Sequence, residues 1–227
     1  MKYTLAFSSR RRTLGIQVRG GEVIVRAPKG LDRQQIEDFV QSRKQWIEQH
    51  QRKQKQALEE QSVMIAQSGR VPWQGEWLEL SWSRASRSRV LPIRDQRIHV
   101  QLSSRVRRAE DEVVRELLQN WYQNQAEFIL LARLREFAER TGLQPSRAYI
   151  GHWRARWGQC SARGEIGLNW RLLQLPAAMQ DYVILHELCH LRHMNHGPEF
   201  HRLLTQHLPD QRQVSKQISY YSAWLNW

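Results

Sequence analysis

The residues best suited to chemistry stand together in "ILHELCHLRHMNHGPEFH", Ile184 to His201, which holds five of the chain's nine histidines. Among them His186, Glu187 and His190 spell H-E-x-x-H. Residues four apart on a helix share one face, about 5–6 Å apart at Cβ, so both imidazoles can reach one ion. Glu187, one position on, stands beside that ion, where a base for its water belongs. Zinc (Zn2+) suits such a set, because a catalytic zinc takes three protein ligands and keeps one position for water. His196, past a turn at Met194-Asn195, is the candidate third ligand, and His193, Glu199 and His201 compete for that place.

The chemistry follows from charge. Zinc lowers the pKa of its water to about 7. Glu187 would take the proton and hand it to the leaving group. A separate donor should hold the oxyanion; Arg192, His193, Asn195 and Tyr220 are of the right type, and the sequence does not choose among them.

These residues need a helix beneath them. Pro176 fits its first turn, and Val183, Ile184 and Leu188 its buried side. Further helices are expected from about Pro198 to Leu208 and from Gln211 to Leu225. Upstream, "RAYIGHWRARWGQCSARGEIGLNWRL" reads as strand, turn, strand. Before it, one long helical pattern, continuous or broken once, runs from about Ser104 to Arg140, with Val114, Leu117, Leu118, Trp121, Phe128, Ile129 and Ala132 as its buried stripe. Thr141-Gly142 stops it.

The N-terminal part is richer in strands. "YTLAF" and "TLGIQVRGGEVIVRAP" suggest short strands with a hairpin at Gly20-Gly21. Asp32 then caps a helix carrying Ile36, Phe39, Val40 and Trp46-Ile47, which runs on into "EQHQRKQKQALEEQ", an exposed helix end or a linker. "WLELSWSRASRSRVLPIRDQRIHVQL" reads as further strands. The fold class is α+β, divided into an N-terminal β-rich unit with one helix (1–103), and a C-terminal unit (104–227) that opens with the long connecting helix.

Composition excludes some classes. With 41% hydrophobic and 25% charged residues the chain is globular rather than disordered. Two cysteines, Cys160 and Cys189, are no disulfide framework, which points to a reducing, cytoplasmic setting. No run of about 18 apolar residues exists to span a membrane. The net charge of +13 is uneven: residues 1–55 hold 13 Lys+Arg against 5 Asp+Glu, whereas residues 176–227 hold 4 of each. Such asymmetry suits an anionic partner, a nucleotide or nucleic acid, or else a soluble arginine-rich surface.

The pairing of "RWGQCSARGEIGLNWRL" with "YVILHELCHLRHMNH" resembles the YgjP-like family, also described as the DUF45 metal-dependent hydrolases, a zincin-type metallopeptidase group similar to SprT-like proteases. "TLGIQVRGGEVIVRAPKGL" and "FVQSRKQWI" extend the resemblance over most of the chain. It implies a zincin-like C-terminal unit with an active-site helix beside a small sheet. It implies His186, His190 and His196 as zinc ligands, Glu187 as the catalytic residue, and a peptide or protein substrate. Two positions depart from the family's pattern: Gln159 replaces Ser in Trp-Gly-Ser-Cys, and Gly197 replaces the Ser after Asn-His. The metzincin pattern shares the H-x-x-x-x-x-H spacing but has Gly where this chain has His193.

In zincins a strand beside the active-site helix pairs edge-on with an extended peptide. Arg156–Cys160 or Glu165–Asn169 would supply it, unless Trp157 and Trp170 simply fill the core. Cys160 and Cys189 read as small buried residues rather than ligands. The expected function is a zinc-dependent metallopeptidase. The rival readings are a metal-dependent phosphohydrolase or pyrophosphatase acting on nucleotides, and a basic nucleic-acid-binding module with a structural metal. Arg10-Arg11-Arg12, Arg105, Arg107 and Arg108 motivate the last.

Overall fold

A computed structural model describes residues 3–9, 11–19, 22–61 and 68–221. The hairpin expected at Gly20-Gly21 lies outside them, as does the end of the helix expected to reach Leu225. The chain forms two compact units, Met1–Ser62 and Val63–Trp227.

In the first unit, β1 (Thr4–Ser8), β2 (Gly15–Arg19) and β3 (Glu22–Pro28) form a sheet in the order β1-β3-β2. β3 runs parallel to β1 and antiparallel to β2. Alternate residues Val23, Val25 and Ala27 of β3 are buried, as the period of two requires of a half-buried strand. They share a core with Ile36, Val40 and Ile47 from helices α1 (Arg33–Ser42) and α2 (Lys44–Gln61). Asp32 stands at the N-cap of α1 but makes no side-chain cap bond. The one expected helix is thus two: Arg43, at φ −108° and ψ 8°, breaks it. Phe39 is half-buried and Trp46 is 40% exposed, its ring stacked on His50.

The second unit opens with a four-stranded sheet, β4 (Arg70–Trp73), β5 (Glu76–Ala85), β6 (Arg89–Val90) and β7 (Arg97–Ser103), in the order β4-β5-β7-β6. The boundary expected at 103/104 falls inside this unit. The reason is shared packing: Val71, Leu78, Leu80, Ile98, Val100 and Leu102 of the sheet form one core with Val113, Val114 and Leu118 of helix α3 (Glu110–Thr141). Separating them would expose both faces.

Helix α3 is unbroken and ends at Gly142, left-handed at φ 70°. Its buried stripe is Val114, Leu118, Tyr122, Ala126, Leu130, Leu134 and Ala138, a spacing of four. At 3.6 residues per turn each such step turns the buried face by about 40°. The stripe therefore winds around the helix. Its first turns face the four-stranded sheet, and from Tyr122 onward it faces a second core built with the C-terminal elements. Of the expected stripe, Val114 and Leu118 are buried and Leu117, Trp121 and Ile129 half-buried, but Phe128 is 78% exposed and Ala132 is exposed. A straight stripe drawn at fixed phase misses that rotation.

The second core gathers the elements that carry the histidines. β8 (Arg147–Gly151), β9 (Gly158–Cys160) and β10 (Glu165–Asn169) form a sheet in the order β8-β10-β9. β10 is central, parallel to β8 and antiparallel to β9. A 3-10 turn (Trp170–Gln174) leads to helices α4 (Ala177–Cys189), α5 (Pro198–His207) and α6 (Gln211–Ile218). Trp170 is buried in this core beside Tyr122, and Trp157 packs partly against it. The fold is α+β.

Candidate metal centre and active site

Helix α4 begins after Pro176, which stands at its N-cap, one place before the expected position. Most of it is buried, including Val183, Ile184, Leu185 and Leu188, so its orientation is set by the core on several sides. Arg133 of α3 also clasps Asp181 of α4 through a two-point ion pair. Such planar pairing fixes direction as well as distance.

The histidines sit where this helix ends. His186 occupies the last turn, and His190 is the C-cap, still in helical conformation, its N–H donating to the His186 carbonyl at 3.3 Å. The chain then turns: His193 N–H donates to Cys189 O at 3.0 Å, and Gly197 N–H to Asn195 O at 2.8 Å. Pro198 starts α5 in the first turn, where its missing N–H costs nothing. This reversal carries His196 back over the helix end.

Three imidazoles converge there. His186 Nε2 lies 3.2 Å from His190 Nε2 and 3.0 Å from His196 Nε2. One nitrogen from each ring falls within 4.8 Å of the others, a spacing that one cation can bridge. Phe200 of α5 floors the cluster, its ring centroid 4.7–4.9 Å from all three imidazoles. His190 Nδ1 is 3.0 Å from the His193 carbonyl, so it carries the hydrogen and leaves Nε2 with a lone pair aimed at the cluster. Burial, then the neighbouring His190, His196 and His201, hold His186 down to about 3, so its ring is neutral at pH 7. His196 is lowered too, by burial and then by His190 and His201. Neutral rings are what a metal requires. The residues present therefore fit a divalent cation.

The rival ligands are placed elsewhere. His193 offers its backbone carbonyl to His190 rather than its ring. Glu199 is exposed and pairs with Arg202 at 2.8 Å. The ring of His201 stands edge-on against Phe200, outside the cluster. Arg192, Asn195 and Tyr220 are all exposed.

Glu187 reaches the sheet. It is 6% exposed, and burial raises its carboxyl to about 8, with the Arg156 charge pulling it back down. Its carboxylate lies against Gly158 of β9: a Cβ at Gly158 would stand 2.8 Å from both Glu187 Oε1 and Cγ. The glycine in "RWGQC" is thus the gap through which the strand reaches the glutamate.

Strand β9 is an edge of its sheet, as β8 is on the other side, because β10 is paired on both sides. Of the two segments expected to receive a peptide, Glu165–Asn169 is therefore unavailable and Gly158–Cys160 is available. The pairing fixes which groups point outward. Asn169 N–H donates to Trp157 O at 2.8 Å, and Ser161 N–H to Glu165 O at 2.9 Å. Since bonding alternates along an antiparallel pair, Gln159 bonds inward to Gly167, and the N–H and C=O of Gly158 and Cys160 face outward.

Asn169 is the site residue that spacing arguments missed. Fully buried, it donates from Nδ2 to the carbonyls of Trp153 (2.7 Å) and Arg156 (2.9 Å) and accepts from Arg171 N–H at 3.2 Å. It ties the loop before β9 to the turn before α4. Its only signal in the sequence is its place in "GLNWRL". The two cysteines are unpaired; burial raises Cys160 to about 11 and Cys189 to about 12, so both stay thiols. Among the described residues no helix is long and apolar enough to cross a membrane.

Residues 12–221 match the family model described as YgjP-like, metallopeptidase domain. Among solved structures, the metallopeptidase zymogen abylysin of Pyrococcus abyssi matches at 22% identity and a TM-score of 0.37, over 40% of this chain and 91% of that one, a partial likeness. No curated protein matches.

Proposed function

Because the chain belongs to the YgjP-like family of metallopeptidases, we propose that it is a zinc peptidase in which His186, His190 and His196 hold the ion and Glu187 serves as general base. A metal-dependent peptidase is what the family is. Three converging imidazoles with no fourth ligand among the described residues favour zinc in a catalytic rather than a structural role. When bound, the ion supplies Lewis acidity to the peptide carbonyl and makes a water acidic enough to lose its proton near neutral pH.

The chain's own residues do the rest. Glu187 accepts the proton of the attacking water at its carboxylate and passes it to the leaving amine. Burial raises that carboxyl to about 8, which makes it a stronger base toward the proton. Gly158 and Cys160 bind the substrate backbone by extending the sheet, which aligns an extended peptide past the glutamate. The observation that carries this reading is the close approach of Glu187 to Gly158 on the edge strand β9, which supports a base lying beside a peptide paired to that edge. Two unpaired cysteines accord with the cytoplasm as the site of action.

Glu187→Gln tests it. The variant should keep its metal and lose at least about 100-fold in peptide turnover, the usual worth of a general base. Full turnover in a metal-loaded Glu187→Gln protein would refute the role.

A further inference from the structure

Resting on that reading of β9 as the substrate strand, we propose that Arg156, held by Gln159, selects peptides with an acidic side chain at the position facing Gln159. The sheet register places Gln159, Gly167 and Tyr149 in one row across β9, β10 and β8. Gly167 keeps the middle of that row clear, since a Cβ there would stand 2.8 Å from Tyr149 Cζ and 2.6 Å from Trp153 Cη2. Over the gap, Gln159 Nε2 donates to the Tyr149 hydroxyl at 2.6 Å. Its Oε1 accepts from Arg156 Nη1 at 3.0 Å. The amide thereby bridges the sheet to the guanidinium and holds the charge over the Gln159 face.

The backbone beneath Arg156 is fixed as well, because Asn169 binds its carbonyl at 2.9 Å. Arg154 and Arg156 are both exposed, and neither has an ion pair among the described residues. From His152 to Arg163 the chain has three arginines and no acid. Arg156 is close enough to lower the buried Glu187 carboxyl but makes no ion pair with it among the described residues; an exposed cation held beside a strand edge is a recognition element for an anion.

The alternation of the edge sets where that anion must be. A peptide strand added to β9 bonds to the outward groups of Gly158 and Cys160. The peptide residue between those two bonded positions then faces Gln159 in a non-hydrogen-bonded pair, Cα atoms about 4.5 Å apart and side chains on the same face. An Asp or Glu there reaches the Arg156 guanidinium, most of whose donors Gln159 leaves open. A Lys there meets a like charge. The neighbouring residue, opposite Gly158, is the one beside Glu187. The selected acid therefore lies within two residues of the bond that is cut.

The test is a set of peptides, identical except for Asp, Asn or Lys at each position around the cleaved bond, assayed with zinc-loaded protein. At one position kcat/KM for Asp should exceed that for Lys about three- to tenfold, the range of a solvent-exposed charge pair. Arg156→Glu should invert that ratio, and Gln159→Ser, too short to bridge, should shrink it without moving metal content or melting temperature. The preference should weaken in high salt. Cleavage with no acid preference, or a ratio unchanged in Arg156→Glu, overturns the proposal and leaves the peptidase reading standing. Failure of the zinc-loaded protein to cleave any peptide overturns both.

Discussion

Gly158 and Glu187 touch: the strand that would receive a peptide runs so close to the buried carboxylate that any side chain at Gly158 would strike it, its Cβ 2.8 Å from Oε1. The sheet edge and the Glu187 carboxylate are separated only by the absent side chain of a glycine.

Gly158→Ala should accordingly fold, with a stability loss of about 1–3 kcal/mol from overpacking. It should keep its metal. Peptide turnover should fall on the order of 100-fold, because a base displaced by about 1 Å loses its alignment. Chemical denaturation and steady-state kinetics check both halves; turnover at the wild-type level would show that the contact does not position Glu187.

The histidines predict a linkage between metal and stability. Zinc at 100 times its dissociation constant stabilises the folded state by about 2.7 kcal/mol. For a domain of this size that raises the melting temperature by roughly 5–10 °C. The shift should vanish in His186→Ala. Equal shifts in the wild type and the variant would place the ion elsewhere.

Much of this centre was legible from residue spacing, and the reason is local. H-E-x-x-H works through the helical repeat, which needs no knowledge of the rest of the chain. His196 required only a reversal after Asn195, for which Gly197-Pro198 is adequate punctuation. Glu187 against Gly158 was not legible, because those residues are 29 positions apart and meet only through tertiary packing. The same limit applies to α3, whose stripe turns from one core to another, so that a fixed-phase reading buried Phe128 wrongly. The break at Arg43 left no mark in the apolar pattern either, since Ile36, Val40 and Ile47 are buried on both sides of it.

Asn169 should prove structural in a way that kinetics can see. Asn169→Ala removes the partner of two loop carbonyls and should cost about 1–3 kcal/mol. The loop before β9 carries Arg154 and Arg156, so trypsin reports on its release: native-state cleavage there should speed up well beyond the change in global unfolding. Unchanged cleavage would show that the loop is held by other contacts.

The first turn of α3 gives a pH dependence of known sign. Glu110 accepts from Trp82 Nε1 at 2.9 Å and from Arg84 Nε at 2.8 Å. These bonds, the Trp82 bond first, lower its carboxyl below the ordinary range. A lowered carboxyl stabilises the fold above its unfolded value, and that contribution is lost as pH falls through the folded one. Melting temperatures of Glu110→Gln and wild type, compared from pH 7 down to pH 3, should therefore converge on the acid side. A gap that widens with acid would contradict the assignment.

The proposed peptidase depends on one cation held by His186, His190 and His196. Elemental analysis after zinc reconstitution and exhaustive dialysis tests it most directly. One zinc per chain is expected in the wild type and in Glu187→Gln, and none in His186→Ala/His190→Ala. A wild-type protein without stoichiometric metal, or a double variant that retains it, would contradict it.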